Sequence, residues 1–76
     1  MQLINSTTKR ISNNIQKLEN AVSRLRNQNI KMDYEKTLFY LKEDFKKLNI
    51  KDKSEVHIFE YRIEYLLSEV NRAFFK

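Results

Sequence analysis

The side chains that could support acid–base or metal chemistry are few in this sequence. His57 is the only histidine, Glu60 and Glu64 stand one helical turn apart, and there is no cysteine. A thiolate nucleophile requires Cys, and zinc sites in proteins commonly combine Cys with His. Nothing in the sequence brings the two glutamates together with a base or a nucleophile. We therefore predict that the chain is not an enzyme, that it holds no metal or cofactor, and that His57 is an exposed side chain.

The composition also argues against several other classes of protein. Glycine and proline are absent, and phosphate-cradling loops need glycine where the backbone approaches the ligand closely. Neither a Walker loop nor a dinucleotide-binding fingerprint is therefore present. No apolar run approaches the roughly 18 residues of a membrane-spanning helix, and the start of the chain lacks the layout of a signal peptide. We predict a cytoplasmic protein that does not bind membranes.

Positive charge is concentrated in residues 1–31. Six Lys and Arg residues face a single Glu there, whereas nine basic residues balance nine acidic ones in residues 32–76, so the first part carries the whole net charge of +5. Four of the cations recur every seven residues and would form a stripe about 31 Å long on one helix; they are Arg10, Lys17, Arg24 and Lys31. These are candidate phosphate contacts, and nucleic-acid binding is the alternative function. The competing interpretation is an ordinary solvated helix face, which is favoured because residues 1–33 contain no aromatic side chain for base stacking.

Large apolar side chains outside the main apolar faces form a second candidate surface. They are Phe39, Tyr40, Ile58, Tyr61 and Tyr65. Aromatic side chains contribute a large contact area at a low cost in conformational entropy, so these residues are candidates for contact with a partner protein. Alternatively, a central third helix buries both of its faces within the bundle.

The element expected to carry the basic stripe is a long first helix over about residues 5–31. Apolar residues follow a heptad pattern, with Ile11, Leu18, Leu25 and Met32 at d positions and Ile15, Val22 and Asn29 at a positions. Such a narrow stripe is typical of a coiled-coil seam. An Asn at an a position, here Asn29, can fix the register of the paired helices. We predict self-association through a seam of Ile11, Ile15, Leu18, Val22, Leu25 and Asn29. A homodimer is the first choice, trimers or tetramers remain open, and the competing outcome is a three-helix monomer.

Two shorter helices are expected to follow as an antiparallel hairpin. The apolar pattern changes phase after Met32, with Asp33 as an N-cap candidate, which predicts a second helix near 34–48. Asp52 and Glu55 resemble a capping box and predict a third helix near 54–75. The first helix should then extend beyond the second.

At 76 residues, the chain is expected to form one helical domain whose small core leaves stability marginal. The predicted fold is all-α, with a long coiled-coil-like helix, a helical hairpin and assembly into an oligomeric bundle. The predicted function is a small protein-interaction module, acting as a regulator, adaptor or inhibitor, whose partners are itself and another protein.

Overall fold

Helices account for nearly all of residues 6–74, the part of the chain that the computed structural model describes. They are α1 (Ser6–Ser23), α2 (Gln28–Lys47) and α3 (Lys53–Ala73), and no strand occurs among the described residues. The predicted all-α fold with three helices is confirmed. Residues 5 and 75, where the first predicted helix begins and the third ends, lie outside the described residues.

The first helix is much shorter than predicted because the chain turns after Ser23. The Arg24 amide donates to the Ala21 carbonyl at 3.2 Å and the Leu25 amide to the Val22 carbonyl at 3.1 Å. Such i to i+3 bonds tighten the last turn of a helix and satisfy its free carbonyls. The predicted first helix over 5–31 is therefore wrong at its carboxyl end.

The second helix starts at Asn27, whose extended backbone (φ −74°, ψ 113°) lets its side-chain oxygen accept a hydrogen bond from the Ile30 amide at 3.2 Å. Asn is a preferred N-cap because its side-chain oxygen can accept a hydrogen bond from a free backbone amide in the first turn of the helix. Asp33, the predicted cap, lies inside α2, and its carbonyl accepts a hydrogen bond from the Thr37 hydroxyl. The predicted start near residue 34 is therefore six residues too late.

The three helices are similar in length as a consequence. With 18, 20 and 21 residues, they are about 27, 30 and 31 Å long at 1.5 Å per residue. The predicted extension of the first helix beyond the second is wrong.

The turn between α2 and α3 ends at the predicted cap, Asp52. Its carboxylate accepts hydrogen bonds from the Ser54 and Glu55 amides at 3.0 and 3.2 Å. Glu55 does not complete a reciprocal box, because its carboxylate accepts from the Asn49 amide, while the Asp52 amide donates to the Asn49 carbonyl. This short, hydrogen-bonded connection fixes which residues of α2 and α3 face each other.

The core lies between all three helices, and α1 packs closely against both α2 and α3. Its buried members are Ile11, Ile15, Leu18, Val22, Leu25, Leu38, Leu41, Val56, Phe59, Ile63 and Val70. The five apolar residues of the predicted seam are thus buried in the core of a single chain. Asn29, the sixth, is exposed in the first turn of α2. The heptad pattern here corresponds to the inner face of a helical bundle, in which α2 and α3 take the place of the second helix of a coiled coil.

Candidate protein-interaction surface

The five residues predicted as a partner surface are all exposed. Phe39, Tyr40, Ile58, Tyr61 and Tyr65 keep between 57 and 64% of their surface accessible. Within a single chain, α3 therefore does not bury both of its faces.

An ion pair between α2 and α3 brings three of these residues onto one face. The Asp44 carboxylate accepts a hydrogen bond from the Arg62 guanidinium at 3.1 Å. Residues three or four apart on a helix are neighbours on its surface. Tyr40 therefore lies one turn from Asp44, while Ile58 and Tyr65 lie one turn on either side of Arg62. We call the surface formed by Tyr40, Asp44, Lys47, Ile58, Arg62 and Tyr65 the α2–α3 face.

The floor of this face is built from stacked aromatic rings. The Phe45 and Phe59 rings stack with their centroids 5.8 Å apart and an angle of 19° between the ring planes. The Arg62 guanidinium carbon lies 5.5 Å from the Phe59 ring centroid, within the range of a cation–π interaction. Arg62 is thus held by both the carboxylate and the ring, which gives the surface a defined shape.

An open groove of about 280 Å³ runs along the face near the turn between the helices. Leu48, Ile58 and Phe59 supply its apolar lining. Two acidic and two basic side chains complete it; they are Asp44, Glu55, Lys47 and Arg62. The groove is therefore apolar at its base and has no net charge around its rim.

Phe39 and Tyr61 border the α2–α3 face and do not lie at its centre. The Phe39 ring meets the Tyr40 ring edge-on, with centroids 5.6 Å apart. Phe39 also lines a more polar groove between α1 and α2, beside the Glu19–Lys42 ion pair. Tyr61 precedes Arg62 by one position and is therefore turned by about 100° around α3. The predicted surface thus consists of Tyr40, Ile58 and Tyr65 around the Asp44–Arg62 pair, with Phe39 and Tyr61 flanking them.

The candidate phosphate contacts do not form one line. Arg10 and Lys17 are on α1, Arg24 is in the turn that follows, and Lys31 is in the first turn of α2. The predicted stripe of about 31 Å depended on a continuous helix and is wrong for that reason. Lys9, which is off the predicted stripe, instead shares a shallow surface depression with Arg10 and Lys17.

Arg10 is committed to an ion pair with α3. Its Nε and Nη2 atoms donate to the two carboxylate oxygens of Glu60 at 2.6 and 3.0 Å. These hydrogen bonds raise the pKa of Arg10 and lower that of Glu60, against the opposing effect of desolvation in each case. Arg10 is therefore less available to a phosphate than the sequence suggests.

The residues with potential for chemistry are dispersed. His57 is exposed at the start of the second turn of α3, and Glu60 is bound to Arg10. Within residues 6–74, no three His, Asp or Glu side chains are grouped so that they could hold a metal ion. In the same residues, no helix is long and apolar enough to cross a lipid bilayer.

Asp44, Lys47 and Arg62 are the members of the α2–α3 face that the sequence analysis did not identify. Their pairing depends on how α2 and α3 align, which the hydrogen bonds of the 49–55 connection determine. The opposite charges of Asp44 and Arg62 are the one feature of the sequence that could have indicated their pairing. A third of the residues are charged, however, so many other pairs of opposite charge are equally possible.

No protein-family model matches the chain, and neither curated proteins nor solved structures give a match.

Proposed function

We propose that the chain is a non-enzymatic helical interaction module, a regulator, adaptor or inhibitor, that binds protein through the α2–α3 face. One observation carries the proposal: three large side chains on this face, Tyr40, Ile58 and Tyr65, are between 57 and 61% exposed. Ile58 also lines the open groove. The core is complete without them, since none belongs to the buried cluster or the residues packed against it. Exposed apolar patches with a polar rim are typical of protein-binding sites.

The composition of the face supports this function. Tyr and Arg are enriched among the residues that dominate binding energy, because they combine a large apolar area with a hydrogen-bonding group. Arg62 is already oriented by Asp44 and Phe59, so less side-chain entropy is lost when a partner contacts it.

Capture from extracts of the native host tests the proposal. The wild-type chain is compared with the double variant Ile58→Gln, Tyr65→Gln and with the control Met32→Gln. Ile58 and Met32 are each 61% exposed, and Met32 lies outside the α2–α3 face. Gln is polar and a good helix former, so folding should persist in all three proteins, and circular dichroism checks it.

A protein bound by the wild type and by Met32→Gln, and lost with the double variant, is the expected result. If the double variant binds the same proteins equally well, the α2–α3 face is not the site and the proposal fails.

Nucleic-acid binding through Arg10, Lys17, Arg24 and Lys31 has weaker support. Arg10 is bound to Glu60, and the other three lie on different elements. Gel shifts across a salt series provide the test, since binding through phosphates weakens steeply with added salt. We expect the wild type to give no salt-sensitive shift. A salt-sensitive shift that is lost when all four residues are changed to Gln would support nucleic-acid binding.

A further inference from the structure

We infer that the partner of the α2–α3 face is a second copy of this chain, which binds around a twofold axis to form a homodimer. This inference rests on the proposed function and names the occupant of the same site. It moves self-association from the buried residues of α1 to the exposed surface of α2 and α3.

Shape is the first argument. The face has a ridge on α3 formed by Ile58 and Tyr65, with Tyr61 at its border; the three recur at intervals of three and four residues. Beside the ridge lies the groove with Leu48 and Phe59 in its lining. Two helical surfaces pack when the ridges of one fit the grooves of the other. In a twofold dimer the same patch is used by both subunits, so a face that contains both a ridge and a groove can complement itself.

Charge is the second argument. The rim of the groove contains two acidic and two basic residues, so each copy can place either sign against its opposite. The net charge of +5 lies entirely within residues 1–31, whose charged residues all lie on α1, the following turn and the start of α2. Contact through the α2–α3 face leaves most of this charge away from the interface, whereas contact between two α1 surfaces would oppose like charges. A strongly charged partner would gain no net electrostatic attraction from this rim, because its charges cancel.

Area is the third argument. Tyr40, Ile58, Tyr61 and Tyr65 each expose more than half of their surface. With about 150–250 Å² for an aromatic side chain and somewhat less for Ile58, the four expose roughly 450 Å² together, about a quarter of it from Tyr61 at the border of the face. A stable dimer buries about 800 Å² on each partner. The apolar residues thus account for over half of the required area, and the charged rim adjoining them can supply the remainder.

Sedimentation equilibrium of the purified chain tests the inference. We compare the wild type with Ile58→Lys and with Met32→Lys, which introduces the same charge at an equally exposed site. The wild type should reach twice the chain mass of 9.3 kDa. Ile58→Lys should weaken the dimer by at least about tenfold because each dimer gains two charges in an apolar contact. Met32→Lys should dimerise like the wild type, and circular dichroism should show all three proteins equally helical.

Two results would overturn the inference. One is a monomeric wild type at about 1 mM, a concentration at which even weak specific complexes form. The other is equal weakening by Ile58→Lys and Met32→Lys, which places the interface elsewhere.

The capture experiment separates failure of the inference from failure of the proposed function. A monomeric wild type whose host partner is lost with Ile58→Gln, Tyr65→Gln would assign the face to a different protein, so the function stands and the homodimer does not. A monomeric wild type whose captured proteins are unaffected by that variant would reject both.

Discussion

The N-cap of α2 is Asn27 and not Asp33, the cap that the sequence predicts. Its side chain accepts a hydrogen bond from the Ile30 amide, whereas Asp33 sits within α2. We predict that Asn27→Ala lowers the free energy of unfolding by about 1 kcal/mol, the usual cost of losing a cap. Asp33→Ala should change it by less than about 0.5 kcal/mol, as surface substitutions usually do. Urea unfolding followed by circular dichroism measures both, and the reverse order would contradict the position of the turn.

The Arg10–Glu60 ion pair predicts a contribution to stability that depends on pH. The hydrogen bonds from Arg10 lower the pKa of Glu60 in the folded chain, so folding favours the carboxylate. This contribution is present above the unfolded pKa of about 4.3 and is lost as the pH falls below it through the folded pKa.

Glu60→Gln should therefore lose less stability than the wild type when the pH is lowered below about 4.3. Arg10→Gln should reduce the acid response in the same way, because it removes the cause of the shift. Urea titrations over a range of pH measure the difference. Parallel curves for the wild type and Glu60→Gln would show that the pair does not contribute.

At the level of the helices, the sequence correctly predicts their number and the cap at Asp52, but not the end of α1. The heptad pattern continues through the turn because Leu25 folds back into the core and remains in phase. Periodicity records which residues are buried, and it does not show whether one helix or two supply them. The polar run Asn27–Asn29 was the local signal for a break, since Asn favours caps over helix interiors.

Leu18 and Met32 occupy equivalent d positions in the heptad pattern, yet their surroundings differ. Leu18 is 1% exposed in the core and Met32 is 61% exposed on α2. Leu18→Ala should lower the free energy of unfolding by about 2–5 kcal/mol because it leaves a cavity. Met32→Ala should cost less than about 0.5 kcal/mol. Similar losses in chemical unfolding would indicate that the two residues share a continuous seam after all.

A charge at Leu18 distinguishes the core from a seam in a second way. Leu18→Lys would place an unpaired ammonium among buried apolar residues, which is strongly unfavourable. We expect loss of helical structure, visible by circular dichroism, because the core of the single chain depends on this residue. A folded monomer obtained by dissociating a dimer would instead support contact between chains at Leu18.

Over the whole molecule, the sequence identifies the exposed apolar residues of the proposed interaction surface but not its shape. Tyr40, Ile58 and Tyr65 stand out because they lie off the main apolar faces of their helices. Their convergence depends on the alignment of α2 with α3, which helical periodicity does not give; the Asp44–Arg62 ion pair and the turn at Asp52 connect the two helices in the structure. The predicted basic stripe fails for the corresponding reason, since helical spacing gives distances only while the helix continues.

Site-specific photo-crosslinking in the native host tests most directly the claim that this protein binds protein through the α2–α3 face. A benzophenone amino acid replaces Tyr40 or Tyr65 in separate chains, and Met32 in a control chain. We predict a discrete crosslinked adduct from positions 40 and 65 and little or none from 32, with the mass of the adduct identifying a second copy or another protein. Equal adducts from all three positions, or adducts from position 32 alone, would contradict the account.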